Sequence, residues 1–165
     1  MSTRPAGIAG RVCGVRNDLP SVRLAIIGDL DALQDVYRHA SLSNERDRPN
    51  LLAHPELLDL DPAVVNEGRT IAAIDQGTVV GFATFLHYPE HVELEALFVD
   101  PIHRRRGHAM RLVEAVVDTA RRAGVARVEV TANDHASAFY DAAGFVQVGM
   151  VELLFGPVPR KHLAV

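Results

Sequence analysis

Val92-Glu-Leu-Glu-Ala-Leu-Phe-Val-Asp-Pro101-Ile-His-Arg-Arg-Arg-Gly107-His-Ala109 has the pattern of a strand, a short basic turn and the start of a helix. The apolar strand ends at Asp100-Pro101, because proline cannot donate to a strand ladder. Gly107 opens the helix, whose first backbone amides have no partner within the helix. These amides, the helix dipole and the guanidinium groups of residues 104–106 all favour an anion. The stretch therefore predicts an anion site whose shape suits a pyrophosphate group.

The composition is that of a globular protein with an ordinary core. Of its 165 residues, 48% are apolar and 23% are charged. The net charge of −4 argues against a general nucleic-acid binder. The single cysteine, Cys13, excludes an internal disulfide framework and a cysteine zinc site, which fits a cytoplasmic protein. No apolar run has the length of a membrane span.

The order of predicted elements is βα(α)βββαβαβ(β). Residues 1–21 contain several Gly and Pro residues without a clear period, which predicts a flexible N-terminal arm before one domain over 22–165. Alternation and turn residues predict strands over 22–27, 70–75, 79–87, 92–99 and 125–131, with one or two more within 145–155. Helical periodicity predicts helices from 28 to about 42, from 107 to 123 and from 133 to 144, with a polar end over 43–50 and short helices in 55–66.

Three local signatures together resemble the GNAT superfamily of acetyl-CoA-dependent N-acyltransferases. They are the turn Arg104-Arg-Arg-Gly107-His-Ala109, the preceding Leu94-x-x-Leu97-x-Val99-x-Pro101, and Asn133 followed by Ala138-Phe-Tyr140-Asp-Ala-Ala-Gly144-Phe145. The resemblance implies an α/β (α+β) fold: a mixed central sheet of six to seven strands, flanked by about four helices, with the two central parallel strands splayed apart. It also implies an acetyl-CoA-dependent N-acetyltransferase that acts by direct attack in a ternary complex.

The resemblance further implies which residues bind the cosubstrate. The backbone of the strand would pair with the pantetheine arm, the amides of the turn would hold the pyrophosphate, and Tyr140 would protonate the departing thiolate. The implied cofactor-binding residues are Leu97, Phe98, Val99, Arg104, Arg105, Arg106, Gly107, His108, Ala109, Met110, Asn133 and Tyr140. From the residues alone, the arginines could form a solvated turn, Tyr140 could pack on the sheet, and Asn133 could serve as a helix N-cap.

The general base is open at this stage. An amine is mostly protonated at neutral pH, so a base or a water leading to one must accept a proton. Glu93 and then Glu95 are the first candidates, and Glu129 on the next strand is a third. A β-bulge is expected in the strand 92–99, because Leu94 and Leu97 break its period of two. The position of the bulge decides which way each carboxylate points, and the alternative is that all three are ordinary surface or salt-bridged residues.

The acceptor side carries a mixture of polar and apolar residues that selects no single substrate. The candidate substrate-binding residues are Tyr37, Arg38, Asn44 and Phe85, in the first helix, its connection and a central strand. A small-molecule amine or amino-acid derivative is the first expectation, and a peptide or protein amine is the second. A homodimer through the last strands is also expected from the resemblance.

Further expectations concern a metal site and alternative functions. His87, His91 and His103 lie near one end of the predicted sheet, but no carboxylate or cysteine stands at ligand spacing from them, which predicts no metal site. A catalytically silent acyl-CoA-binding or sensing module is the alternative to an enzyme. A longer acyl-CoA donor is a third option, which the depth of the pocket beside Leu97 would decide.

Overall fold

The computed structural model describes residues 20–154 and 156–165, so Cys13 and almost all of the predicted arm lie outside the described residues. The strands are β1 Ser21–Leu24, β2 Thr70–Asp75, β3 Thr78–His87, β4 Val92–Val99, β5 Arg127–Thr131, β6 Val146–Leu153 and β7 Gly156–Ala164. The α-helices are α1 Leu30–Leu42, α2 Arg48–Ala53, α3 Ala63–Asn66, α4 His108–Ala123 and α5 Asp134–Ala142. Short 3-10 turns lie at Ile27–Asp29, Pro55–Leu58 and Pro101–His103.

The described strands form one mixed sheet in the order β1-β2-β3-β4-β5-β7-β6. Its parallel pair is β4 with β5, and this pairing covers only Val92 to Leu94 opposite Val128 to Val130. Beyond Leu94 the two strands separate, so none of the described strands pairs with the second half of β4 on that side. The predicted fold class, with splayed central strands, is confirmed.

The core lies on both faces of the sheet. On one face, Leu112 and Val116 of α4 pack with Val80 and Leu94. On the other face, α1 contributes Leu33 and Val36 to a second cluster that contains Ala72 and Phe82. The faces that helical periodicity predicted for α1 and α4 are therefore the buried ones.

The predicted bulge is present in β4. Phe85 of β3 lies opposite Leu94 and Thr84 lies opposite Ala96, so Glu95 is the extra residue. The insertion moves Leu97 onto the same face as Leu94, where both contact the α4 cluster. This shift explains the broken period and bends the strand where it leaves β5.

Two elements differ from the sequence-based expectation. The stretch predicted as a polar end contains the start of α2, a six-residue helix with Pro49 in its first turn. The last strand, β7, lies beyond the predicted range 145–155 and contains Pro157 and Pro159. Both prolines fall in the half of β7 whose register pairs are with β6, while β5 pairs with residues 160–164. Proline at such a position is tolerated because one side of the strand lacks a full partner.

Strand β6 lies at the edge of the sheet and has exposed apolar side chains. They are Val146, Val148, Met150, Leu153 and the adjoining Leu154. The expected homodimer would cover this edge, and it stays a prediction. Among the described residues, none of the helices has the length and hydropathy needed to span a membrane.

The entry into α1 is fixed by an ion pair with a pH-dependent contribution to stability. Arg23 donates two hydrogen bonds, of 2.7 and 2.9 Å, to the Asp29 carboxylate, which also accepts from the Ile26 amide at 2.9 Å. The hydrogen bond from Arg23 lowers the pKa of Asp29, against the opposing effect of burial. A lowered native pKa gives stability that is present above the unfolded pKa and is lost as the pH falls through the native pKa.

We expect Asp29→Asn to reduce the free energy of unfolding at pH 7 by about 1–2 kcal/mol, the usual size for charge-assisted hydrogen bonds. The difference should shrink below about pH 4, where the carboxyl group of the unfolded chain is protonated. Urea unfolding at pH 7 and pH 3 measures both values. Asp31→Asn, at an exposed residue of α1, is the matched control, and equal stability of the two variants at pH 7 would contradict the assignment.

Candidate active site

The basic turn after β4 has the backbone geometry of an anion site. The Asp100 carboxylate accepts from the Ile102 amide at 3.1 Å and starts the 3-10 turn. Arg105 and Gly107 then adopt left-handed conformations with φ of 62° and 83°. Left-handed residues within a turn direct successive N–H groups into one concavity. A Cβ atom added at Gly107 would meet nothing within 4 Å, so the space in front of the turn is open.

A cavity of about 600 Å³, which we call the turn pocket, lies between this turn, the unpaired half of β4 and α5. Ten of the twelve predicted cofactor-binding residues line it: Leu97, Phe98, Val99, Arg104, Arg105, Gly107, His108, Ala109, Met110 and Tyr140. Arg106 is exposed and lies outside this lining. Asn133 is likewise outside it, but lines a second cavity. The sequence pattern thus identified most of one contiguous surface.

Tyr140 is 5% exposed and lines the turn pocket. Its ring makes edge contacts with Phe139 and Phe145, each at 5.3 Å between centroids. Burial raises the pKa of Tyr140. The phenol therefore stays protonated well into the alkaline range and can act as a proton donor.

Asn133 and Arg104 hold the elements around the pocket. The Asn133 side chain accepts from the Ala136 amide at 2.9 Å, so it is the N-cap of α5. Arg104 donates to the Ser43 hydroxyl at 2.9 Å and connects the basic turn to the end of α1. The N-cap interpretation of Asn133 is thus correct, and it is compatible with a cosubstrate contact.

A second cavity of about 1000 Å³, the outer cleft, lies between α1, α2 and the start of α5. Six residues line both cavities: Ala40, Leu97, Phe98, Arg104, His135 and Ala136. The two cavities therefore meet at the unpaired edge of β4. A molecule in the turn pocket and one in the outer cleft would contact each other at this boundary.

Asn44 is the one predicted substrate-binding residue that lines the outer cleft. Tyr37 packs against Phe98 and donates to the Leu57 carbonyl at 2.9 Å, and burial raises the pKa of its hydroxyl. Arg38 is ion-paired with Asp59 at 2.9 Å. Phe85 is 3% exposed within the α4 core cluster. None of these three lines either cavity, because their periodic positions place them in the core or on the outer face of α1.

The candidate glutamates are held by arginines. Arg160 of β7 donates to both oxygens of Glu93, at 2.6 and 2.5 Å, and also to Glu129. Burial alone would raise the pKa of Glu129, but hydrogen bonds from Arg127 and Arg160 outweigh it and lower that pKa. Glu95 accepts from Arg69 at 2.7 Å. None of the three carboxylates lines the turn pocket or the outer cleft.

His135 is a residue that the sequence reasoning missed. It lies at the start of α5 and lines both cavities. Its Nε2 atom is 2.8 Å from the Asn44 amide nitrogen and 3.6 Å from an Asp47 oxygen. The only available signal was its place two residues after the N-cap Asn133, and the contact with Asn44 spans 91 residues.

Known proteins resemble this chain in sequence and in fold. The model of the Acetyltransferase (GNAT) family matches residues 31–145. The chain is 38% identical over 85 residues to N-alpha-acetyltransferase RimI of Mycobacterium tuberculosis, a match that covers 48% of this chain. The chain spans about half the length of this curated relative, 53%.

Solved structures share the fold over most of the chain. PaiA N-acetyltransferase of Thermoplasma acidophilum, in complex with coenzyme A, has a TM-score of 0.70 at 15% identity and covers 89% of this chain and 99% of its own. YncA of Salmonella typhimurium, an acetyltransferase solved with acetyl-CoA, has a TM-score of 0.64 at 24% identity, with coverage of 88% and 94%. With a family model that spans well over half of its length, this chain belongs to the Acetyltransferase (GNAT) family.

Proposed function

We propose that this protein transfers the acetyl group of acetyl-CoA to a primary amine by direct attack, with both substrates bound together. The observation that carries this proposal is the meeting of the turn pocket and the outer cleft at the edge of β4. A thioester placed at that boundary is open to an amine from the other side. No covalent enzyme intermediate is then required.

The turn pocket would hold acetyl-CoA, which supplies the activated acetyl group. The amides of residues 105–110 would bind the pyrophosphate, because the turn is left-handed at Arg105 and Gly107 and opens α4. The backbone of Leu97 and Val99 would pair with the pantetheine arm as an added strand. This pairing is available because β5 leaves β4 after Leu94.

Two groups would stabilise the reaction at the boundary. A backbone N–H of the unpaired half of β4, at Leu97 or Val99, would donate to the oxygen that gains charge during attack. Tyr140 would then give its proton to the departing sulfur. Its raised pKa supports this role, because the phenol is protonated at working pH.

We propose His135 as the group that accepts the proton of the amine. It lines both cavities, and Asn44 and Asp47 hold its ring across the outer cleft. Glu93, Glu95 and Glu129 are weaker candidates, because arginines neutralise them and they line neither cavity. An imidazole nitrogen is the side-chain group most often used as a general base.

We expect His135→Gln to lower kcat about 100-fold near pH 7, at the lower end of the range for loss of a general base. The deficit should shrink at alkaline pH, where the amine loses its proton without help. Initial rates of thiol release from pH 6 to 10 measure both effects. Glu95→Gln is the control and should keep its rate, whereas a large loss in Glu93→Gln with a fully active His135→Gln would return the base role to Glu93.

We propose a peptide or protein α-amine as the acceptor. Two observations support it: the likeness to N-alpha-acetyltransferase RimI and the size of the outer cleft, about 1000 Å³. An α-amine, with a pKa of about 8, also gives up its proton more readily to a histidine than a lysine amine with a pKa of about 10.4. A small-molecule amine, which composition favoured, is the competing acceptor.

An acceptor panel tests this choice. It contains peptides with a free α-amine, the same peptides with a blocked N-terminus and an internal lysine, and small amines. Thiol release and mass spectrometry of the products identify the acetylated nitrogen. Acetylation of the free α-amine is the expected result, and turnover confined to small amines would overturn the acceptor assignment.

A further inference from the structure

A second group of side chains lies beside the basic turn and has no part in the proposed reaction. It consists of Asp75 at the end of β2, His103 in the 3-10 turn and His108 at the start of α4. One nitrogen or oxygen atom from each lies within 4.8 Å of the others. The Asp75 carboxylate is 3.4 Å from His108 Nε2.

Two of these atoms are buried without a hydrogen bond. His108 is 3% exposed, and neither its Nε2 nor the Nδ1 of His103 has a hydrogen-bond partner within residues 20–154 and 156–165. An unsatisfied buried polar atom loses its hydration without compensation, so native structures rarely keep one without a reason. Here two occur together, next to a carboxylate.

We propose that Asp75, His103 and His108 bind a divalent cation of the zinc type. Two imidazole nitrogens and a carboxylate oxygen are a ligand set that Zn²⁺ prefers, and three protein ligands leave a fourth position for water or another ligand. Metal–ligand bonds near 2.1 Å in a tetrahedral site place ligand atoms roughly 3.4 Å apart. The Asp75–His108 separation already has this value, and a ring nitrogen of His103 lies within 4.8 Å of both ligand atoms.

The sequence spacing that predicted no metal site considered only histidines and their near neighbours, and Asp75 is not one of these neighbours. That residue precedes His103 by 28 positions, and only the β2–β3 hairpin brings it to the turn. The His91–Glu93–Glu129 group also gathers possible ligands. This group differs from the Asp75 group because both of its carboxylates already accept hydrogen bonds from Arg160.

The position of the cation predicts its role. His103 and His108 flank residues 104–107 and line the turn pocket, whereas Asp75 belongs to the sheet. A bound cation would fasten both ends of the turn to the sheet and order its amides before a pyrophosphate arrives. The bound cation would thereby raise the affinity for acetyl-CoA, a coupling that rests on the proposed function. By thermodynamic linkage, acetyl-CoA would raise the affinity for the cation by the same factor.

The test uses chelator-treated full-length protein and Zn²⁺ alone, with competition against a chromophoric chelator and mass spectrometry under native conditions. The variants are His103→Gln and Asp75→Asn. Both residues are half-buried, so the two variants should fold, and circular dichroism checks this. His91→Gln is the matched control from the other group. We expect one Zn²⁺ per chain, with affinity at least about tenfold weaker in the two site variants, because loss of even a hydrogen-bonding partner of a ligand has an effect of this size. The control should be unchanged.

Absence of stoichiometric binding, or equal weakening in His91→Gln, would overturn the site. This readout needs no acetyl-CoA, so it is independent of the proposed function. A second titration with acetyl-CoA, with and without Zn²⁺, tests the coupling. Tighter acetyl-CoA binding with Zn²⁺ in the wild type but not in His103→Gln supports it, and equal affinity in both conditions would overturn it.

Discussion

Replacing Tyr140 with phenylalanine is expected to lower kcat by about 100-fold or more, the scale for removal of a general acid. The Kd for acetyl-CoA should stay within about twofold, because the phenylalanine ring keeps the contacts with Phe139 and Phe145. Without the phenol, the departing thiolate must take its proton from water. Pre-steady-state rates and calorimetry measure the two quantities separately.

Tyr37→Phe is the matched control for this variant. Tyr37→Phe also removes a half-buried tyrosine hydroxyl, but Tyr37 lines neither cavity and its hydroxyl donates to the Leu57 carbonyl. It should therefore lose some stability and keep kcat. Because burial raises the pKa of Tyr140, the wild-type rate should also show no fall from its ionisation up to about pH 10, the pKa of a free tyrosine. An unchanged kcat in Tyr140→Phe would remove the acid role.

Gly107→Val is expected to weaken acetyl-CoA binding by about tenfold or more, as loss of one or two charge-assisted hydrogen bonds would do. At a φ of 83°, an L side chain costs about 1–2 kcal/mol, so the turn would leave its left-handed form. The added side chain would also project into the open space that the pyrophosphate is proposed to fill. The fold should survive, because an added Cβ atom meets nothing within 4 Å.

Gly124→Val is the matched control, because it introduces similar backbone strain at a glycine outside the proposed pyrophosphate site. Gly124 ends α4 with a φ of 70°, and an added Cβ atom there also meets nothing within 4 Å. Both variants should lose similar stability in urea, but only Gly107→Val should lose affinity for acetyl-CoA. Equal acetyl-CoA affinity in the two variants would contradict the assignment of the turn.

The features predicted correctly from the sequence are those with local causes. Strand β4 ends at Val99, just before Pro101, because proline breaks the ladder, and α4 ends at Ala123 because the left-handed cap position suits Gly124. A bulge in β4 was predictable because it shifts the apolar period of a single strand, whereas its position at Glu95 came only from the strand register. The lining of the turn pocket followed from the same stretch of chain, since one strand–turn–helix unit supplies most of it.

The features that escaped prediction depend on distant partners. Arg160 neutralises Glu93 across 67 residues, so no local pattern could rank the candidate bases. Tyr37 and Phe85 have residue types that suit a substrate site, yet tertiary packing places them in the core. The grouping of Asp75 with His103 has the same origin. Residue type and spacing indicate which chemistry is available, and only the fold decides which groups meet.

The most direct test of the account is a calorimetric titration of the purified protein with acetyl-CoA, with coenzyme A and dephospho-coenzyme A as comparison ligands. The account predicts saturable binding at one site per chain and markedly weaker binding by Gly107→Val. It also predicts that Gly124→Val binds like the wild type. Absence of binding at millimolar acetyl-CoA, or equal binding by all three proteins, would contradict the claim that the turn pocket is the donor site.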